Sequence, residues 1–190
     1  MSLKSTSTQY GRVAVAIHWS SALAVILAFA AGFVVANVAP PAQQGPILIA
    51  HITLGSIVFP LTLLRIAWWA VADRHPGAPA SQPRWQVRTA QAVHLGFYVL
   101  LVLMGTSGIV TIVLSGAVPA ILAGGPVPDL SALIPRVAHG IMSRLLLALF
   151  AVHLGAALYH QFVRHDHVLA RMGVGQGGSE PAPPHPAPAR

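Results

Sequence analysis

Four long stretches of this chain are almost free of charge, and their spacing predicts its architecture. Residues 13–38 contain no ionisable side chain except His18, and that length exceeds the roughly 20 residues a helix needs to cross the core of a bilayer. Residues 47–71 form the second stretch, interrupted by His51, by Arg65 near its far end, and by Pro60, which should kink the helix locally. The third covers residues 89–114, and the fourth covers 136–163 and carries Arg144 within it. Turn formers separate them: Pro40-Pro41 with Gly45-Pro46, then His75-Pro76-Gly77 through Pro83, then Gly124-Gly125-Pro126 with Pro128 and Pro135. The pattern predicts an all-α integral membrane four-helix bundle over residues 13–163, an N-terminal segment over 1–12, and a tail over 164–190. Beyond Met172 the tail turns to Gly and Pro and cannot build a core, so it should be disordered or polyproline-like. The first stretch is far longer than the 7 to 15 apolar residues of a signal peptide, so it reads as a span.

Composition agrees and narrows the chemistry. Apolar residues make up 55% and charged residues 8% of the chain, against roughly 25% charged in soluble domains. There is no cysteine, which excludes disulfides, iron–sulfur clusters, thiolate zinc sites and covalently attached haem. Basic residues lie on alternate loops: Lys4 and Arg12 before the first span, Arg74, Arg84 and Arg88 after the second, Arg164 and Arg171 after the fourth. The positive-inside rule therefore makes both termini cytoplasmic. Trp19, Trp68, Trp69, Trp85 and Tyr159 fall at the same face, as an interfacial aromatic belt does. Topology accounts for the net charge of +7, so no nucleic-acid partner is implied; the partner is membrane lipid.

Six histidines in or beside the spans, His18, His51, His94, His139, His153 and His160, are the candidate chemistry, because an ionisable side chain inside a membrane is costly and marks function by default. His139 and His153 are fourteen residues apart, almost four turns, so they share a helix face about 21 Å apart along the axis. Depth sorts the set into an outer level, His51 and His139, and an inner level, His18, His94, His153 and His160. Two imidazoles from different helices suit a bis-histidine haem in a helix bundle. At the outer level the pair is His51 with His139; at the inner level depth favours His153, with His18 or His94 opposite. Gly55, Gly105, Gly108, Gly140 and Gly155 would let either a flat macrocycle or a neighbouring helix approach. His165-x-His167 and His185 lie in polar segments and read as solvated surface.

Tyr10-x-Arg12 with His18-Trp19, His51-x-x-x-Gly55 with Arg65, His94-x-x-x-Tyr98 with Gly108, His139 with His153, and His160 before Leu169-x-Arg171-Met172 together resemble the bacterial cytochrome b561 family over residues 10–173. Departures are Gly105 where a proline is common, missing lysines in the Pro-rich loop, and Ala138 and Gly140 beside His139. The resemblance implies a multi-pass protein of the bacterial inner membrane with two non-covalent b haems held by His18, His51, His139 and His153. It resolves the inner pair as His18 with His153, and it places His94 and His160 at a cytoplasmic quinone site. Arg84, Arg88 and Ser21 are further candidates there. The implied activity is oxidation of superoxide at the periplasmic side and reduction of ubiquinone at the cytoplasmic side. Arg136 and Arg144, on either side of His139, are the candidate catalytic cations, since an anionic radical needs a positive approach. The alternative is an electron-relay anchor that passes electrons from a dehydrogenase or hydrogenase partner subunit to quinone. A proton or metal pathway is a third reading, disfavoured because no Asp or Glu lies within any span.

Overall fold

The computed structural model of the chain describes residues 2–78, 82–166 and 168–175. Every regular element among them is helical: α1 (Arg12–Asn37), α2 (Pro41–Ala67) continued by a π-helical turn (Trp68–Ala72), α3 (Arg84–Ser115), the short α4 (Ala117–Leu122), α5 (Ile134–Phe162) and α6 (Val168–Arg171). Four of these, α1, α2 with its π turn, α3 and α5, are long and apolar enough to cross a membrane. The chain is therefore an all-α membrane bundle.

Prolines set the helix starts. Pro40 and Pro83 precede α2 and α3, while Pro41 and Pro135 stand in the first turns of α2 and α5. At these positions the missing N–H leaves nothing unsatisfied and the fixed φ already suits a helix. Two boundaries consequently differ from the sequence reading. Gly45-Pro46, expected in the first loop, lies inside α2, and Arg84 and Arg88, expected in the second loop, lie in the opening turns of α3. Pro46 removes one hydrogen bond near the start of a 27-residue helix, too little to stop it. Pro60 is also inside α2 and leaves the Ser56 carbonyl without its helical N–H. α3 ends at Gly116, whose φ of 63° is the left-handed conformation glycine adopts without strain. The turn there starts α4, an element the hydrophobic pattern did not announce.

Packing is tight on one side of the bundle and open on the other. α1 buries Ala14, Ile17, Ser21, Ala24 and Ala28, spaced three and four apart so that they form one stripe of mostly small side chains. Ala24 and Ala28 meet Val58 of α2, with Val25, Leu54 and Leu101 around them. α1 packs on α2, α2 on α3, and α3 on α5. Large apolar side chains such as Leu23, Ile26 and Phe33 point outward, as they do where the solvent is lipid. No large side chain is fully buried among the described residues.

Residues 2–11, residues 73–78 after the π turn and residues 168–173 meet at one end, called here the terminal face. Asp73, just after the π turn, accepts from the Ser5 hydroxyl at 2.8 Å, from the Ser5 backbone N–H at 3.0 and 3.1 Å, and from the Trp68 indole at 3.2 Å. Arg171 of α6 donates to the carbonyls of Thr8 and Gly77, both at 2.8 Å, and the Trp19 indole donates to the Met172 carbonyl at 3.1 Å. Residues 2–11 and 168–173 thus form a clasp across this face. The sequence pattern divides them between an N-terminal segment and the root of a tail and announces no contact between the two. From residue 176 onward the Pro-rich stretch lies outside the described residues, as do His167 and His185.

Candidate functional site

At the end opposite the terminal face, His51 of α2 and His139 of α5 stand with ring centres 6.0 Å apart and planes at 83°. His51 Nδ1 lies 2.7 Å from the Ala28 carbonyl of α1. His139 Nδ1 lies 3.1 Å from the Met104 carbonyl and 3.2 Å from the Ser107 hydroxyl of α3. A carbonyl can only accept, so each Nδ1 carries the proton and each Nε2 keeps its lone pair. Such outer partners fix the tautomer and orientation of metal-binding histidines. Two glycines admit the rings: a Cβ on Gly32 would stand 2.8 Å from His51 Cε1, and one on Gly108 would stand 3.3 Å from His139 Cε1. Gly32 was not among the glycines singled out from the sequence, because nothing local distinguishes it from a packing glycine.

Nearer the terminal face, the His153 ring of α5 has its centre 6.5 Å from His18 of α1 and 5.6 Å from His94 of α3, with the Phe97 ring at 5.4 Å. Arg65 of α2 enters the same cluster. Its Nη1 donates to His18 Nδ1 at 2.6 Å, and its guanidinium carbon lies 6.0 Å from the centre of the Tyr98 ring. Its Nε is buried without a partner, and no carboxylate pairs with it among the described residues. The sequence did carry a signal for Arg65. It follows His51 by fourteen residues on α2, as His153 follows His139 on α5, so both helices change depth in step.

The remaining candidates separate. His160, near the end of α5, donates from Nδ1 to Asp166 Oδ2 at 2.6 Å. Ser21 is buried with its hydroxyl given to the Ile17 carbonyl at 2.7 Å, so its donor is spent within α1. Arg84 and Arg88 are exposed at the start of α3. Arg136 and Arg144 flank Gly140 beside His139: a Cβ there would stand 3.1 and 4.0 Å from their respective Nη1 atoms. The glycines divide in the same way. A side chain on Gly105 would overlap the Phe59 ring, so Gly105 serves helix packing, whereas a Cβ on Gly55, one turn below His51, meets nothing within 4 Å. Gly155 also meets nothing, but it is exposed and lies two residues, about 200° of helix, from His153, so it does not share that ring's face.

These distances test the fit of a haem directly. Two imidazoles joined by an N–H···N hydrogen bond have ring centres about 5 Å apart. With a metal between them, bonds of about 2.0 Å and ring radii of about 1.1 Å place the centres about 6.2 Å apart. The His51–His139 and His18–His153 separations of 6.0 and 6.5 Å fit the second geometry. The unpartnered Arg65 Nε fits an anionic substituent such as a haem propionate, and Gly55 borders open space.

A membrane four-helix bundle with histidines paired between helices at two depths belongs to the class of membrane b-type cytochromes. Residues 9–175 match the family model described as prokaryotic cytochrome b561, and the chain belongs to that family. Two relatives from Escherichia coli strain K12 are similar along nearly their whole length. Cytochrome b561 homolog 2 is 28% identical over 193 residues, covering 95% of this chain and 98% of the relative. Cytochrome b561 homolog 1 is 25% identical over 174 residues, covering 86% and 96%. The chain is thus a membrane b-type cytochrome of electron transport, a multi-pass helical protein that binds b-type haem.

Proposed function

We propose that the chain holds two b haems, one between His51 and His139 and one between His18 and His153, and carries electrons across the bacterial inner membrane from superoxide outside to ubiquinone inside. The observation that carries this reading is the pair of ring separations at two depths, each wide enough for an iron between two imidazoles. The basic residues of the terminal face support placing that face, with both chain ends, in the cytoplasm. When bound, haem supplies a reversible one-electron carrier that needs no movement of the chain. His94, at 5.6 Å and 59° from His153, would stand beside the inner haem, and the family resemblance supports a quinone site there.

The chain's own groups would do the rest. With two histidines holding each iron, a bound haem would have no position open to a substrate, so substrates would exchange electrons with it from residues at the pocket's rim. Arg136 and Arg144 put positive charge beside His139, where an incoming anion is drawn and oriented. Arg65 cannot donate to His18 Nδ1 while that nitrogen keeps the proton that Nε2 ligation requires. Holding a haem through His18 Nε2 would therefore free Arg65 for an anionic acceptor such as a propionate. The balance is two superoxide, one ubiquinone and two protons giving two dioxygen and one ubiquinol.

The test is stopped-flow exposure of the quinone-free, haem-loaded protein to a superoxide source while haem spectra are recorded. Reduction under that flux, slowed by salt because steering of a small anion is screened beyond about 10 Å at 0.1 M, followed by reoxidation with added ubiquinone, is the expected result. Haems that stay oxidised under superoxide yet are reduced by a co-purifying dehydrogenase would replace this reading with that of a relay subunit.

A further inference from the structure

The proton side of quinone reduction has a built feature that the sequence reading did not reach. His160 donates from Nδ1 to Asp166 Oδ2 at 2.6 Å, with the two side chains only 17% and 16% exposed. It is the one salt bridge among the described residues. His165 has a φ of 55°, the left-handed conformation that non-glycine residues take at some strain. That turn brings the Asp166 backbone N–H onto the His160 carbonyl at 3.2 Å. The carboxylate is therefore held against Nδ1 by both backbone and side chain. Its second oxygen, Oδ1, is buried with no partner.

We propose that Asp166 is a positioning residue that makes His160 the proton donor to the acceptor at the terminal face, an inference that rests on the quinone reading above. The carboxylate fixes the tautomer and the ring's orientation: Nδ1 keeps its hydrogen, so Nε2 is the atom that binds and releases the second proton. Ubiquinone takes two electrons, which originate from two superoxide ions, and two protons, each passing from Nε2 to a quinone oxygen. Each time, the neutral ring regains a proton at Nε2 from the cytoplasmic side. Tyr159 stands beside the dyad, its ring centre 5.8 Å from that of His160; the other ionisable groups nearby in the chain or on the packed elements are Arg84, Arg88 and His94 on α3, which packs against α5, and Arg164, His165 and Arg171 on the link and α6. The last set are cations or histidines, so Asp166 is the only carboxylate described on these segments.

The experiment uses the full haem-loaded chain, reduced with dithionite and mixed with either a short-chain ubiquinone or ferricyanide, which takes electrons without protons. Asp166→Asn should slow reoxidation by ubiquinone about 10-fold or more, enlarge its solvent deuterium isotope effect, and leave reoxidation by ferricyanide unchanged. Asp166→Glu, which keeps the carboxylate, should recover most of the ubiquinone rate. Equal ubiquinone rates in wild type and Asp166→Asn would overturn the assignment while leaving the quinone reading intact. Slowing with both oxidants, or a Glu variant no better than Asn, would make the pair a structural tie only. A wild type that ubiquinone fails to reoxidise would overturn the quinone reading and the dyad's role together.

Discussion

Replacing Gly32 with alanine places a methyl group against the ring proposed to hold the outer haem. The new Cβ would lie 2.8 Å from His51 Cε1 and 2.9 Å from Nδ1, whereas carbon atoms rest at about 3.5 Å, so the ring must retreat about 0.7 Å. Gly32 and Ala28 are one turn apart on α1, so the ring is pushed away from the carbonyl that fixes it. The Nδ1···O distance then grows from 2.7 Å past the limit of a useful hydrogen bond. Losing that bond costs about 1 kcal/mol, and the overpacking about 1–3 kcal/mol more. Together these weaken retention of the outer haem about 30- to 1,000-fold. The assay is haem per chain by pyridine haemochromogen, with a redox titration to identify which haem is lost. Gly32→Ala should lose the outer haem and keep the inner one. Gly155→Ala, where a Cβ meets nothing within 4 Å, should retain both. A Gly32→Ala protein with full haem content and unaltered midpoint potentials would refute the reasoning, because the His51 ring would not then need its place against α1.

His51→Ala or His139→Ala should remove only the outer haem, and His18→Ala or His153→Ala only the inner, as read from low-spin haem spectra. Two intact haems in His18→Ala with one lost in His94→Ala would move the inner ligand to α3. Arg65→Leu removes a cation beside the inner haem and should lower its midpoint potential by about 60 mV or more, with the low-spin spectrum retained; an unchanged potential would show that Arg65 faces no charge on that group. At the terminal face, burial pushes the Asp73 carboxyl up, but hydrogen bonds from the Ser5 hydroxyl and backbone, the Arg74 N–H and the Trp68 indole outweigh it and hold it below the ordinary 3.8. A depressed carboxyl contributes stability that is fully present above the unfolded value and is lost as pH falls through the folded one. Hydrogen exchange of residues 2–10 should therefore stay slow at neutral pH and quicken only in strong acid, while Asp73→Asn should be fast at neutral pH with no such acid step.

Hydropathy alone determined the number of spans, because twenty or more uncharged residues have no stable place except in lipid. It also determined the alternation of basic loops and, through helix rise, the two levels of histidine. These are one-dimensional properties: they depend on how far along a helix a residue stands. What the chain could not announce depends on rotation and on contacts between segments distant in sequence. The pairing of α1 with α2 and of α3 with α5 put the Ala28 carbonyl on His51 and the Met104 carbonyl on His139, fixing tautomers that no spacing encodes. The same packing brought Arg65 to His18 and left its Nε without an acceptor, and it separated Gly32 and Gly108, which admit rings, from Gly105, which admits Phe59. The helix ends differed because a proline near a terminus loses little that tertiary packing does not restore. Asp166 was hidden for a related reason, since only the left-handed turn at His165 folds a residue of the polar tail back onto the last histidine of α5.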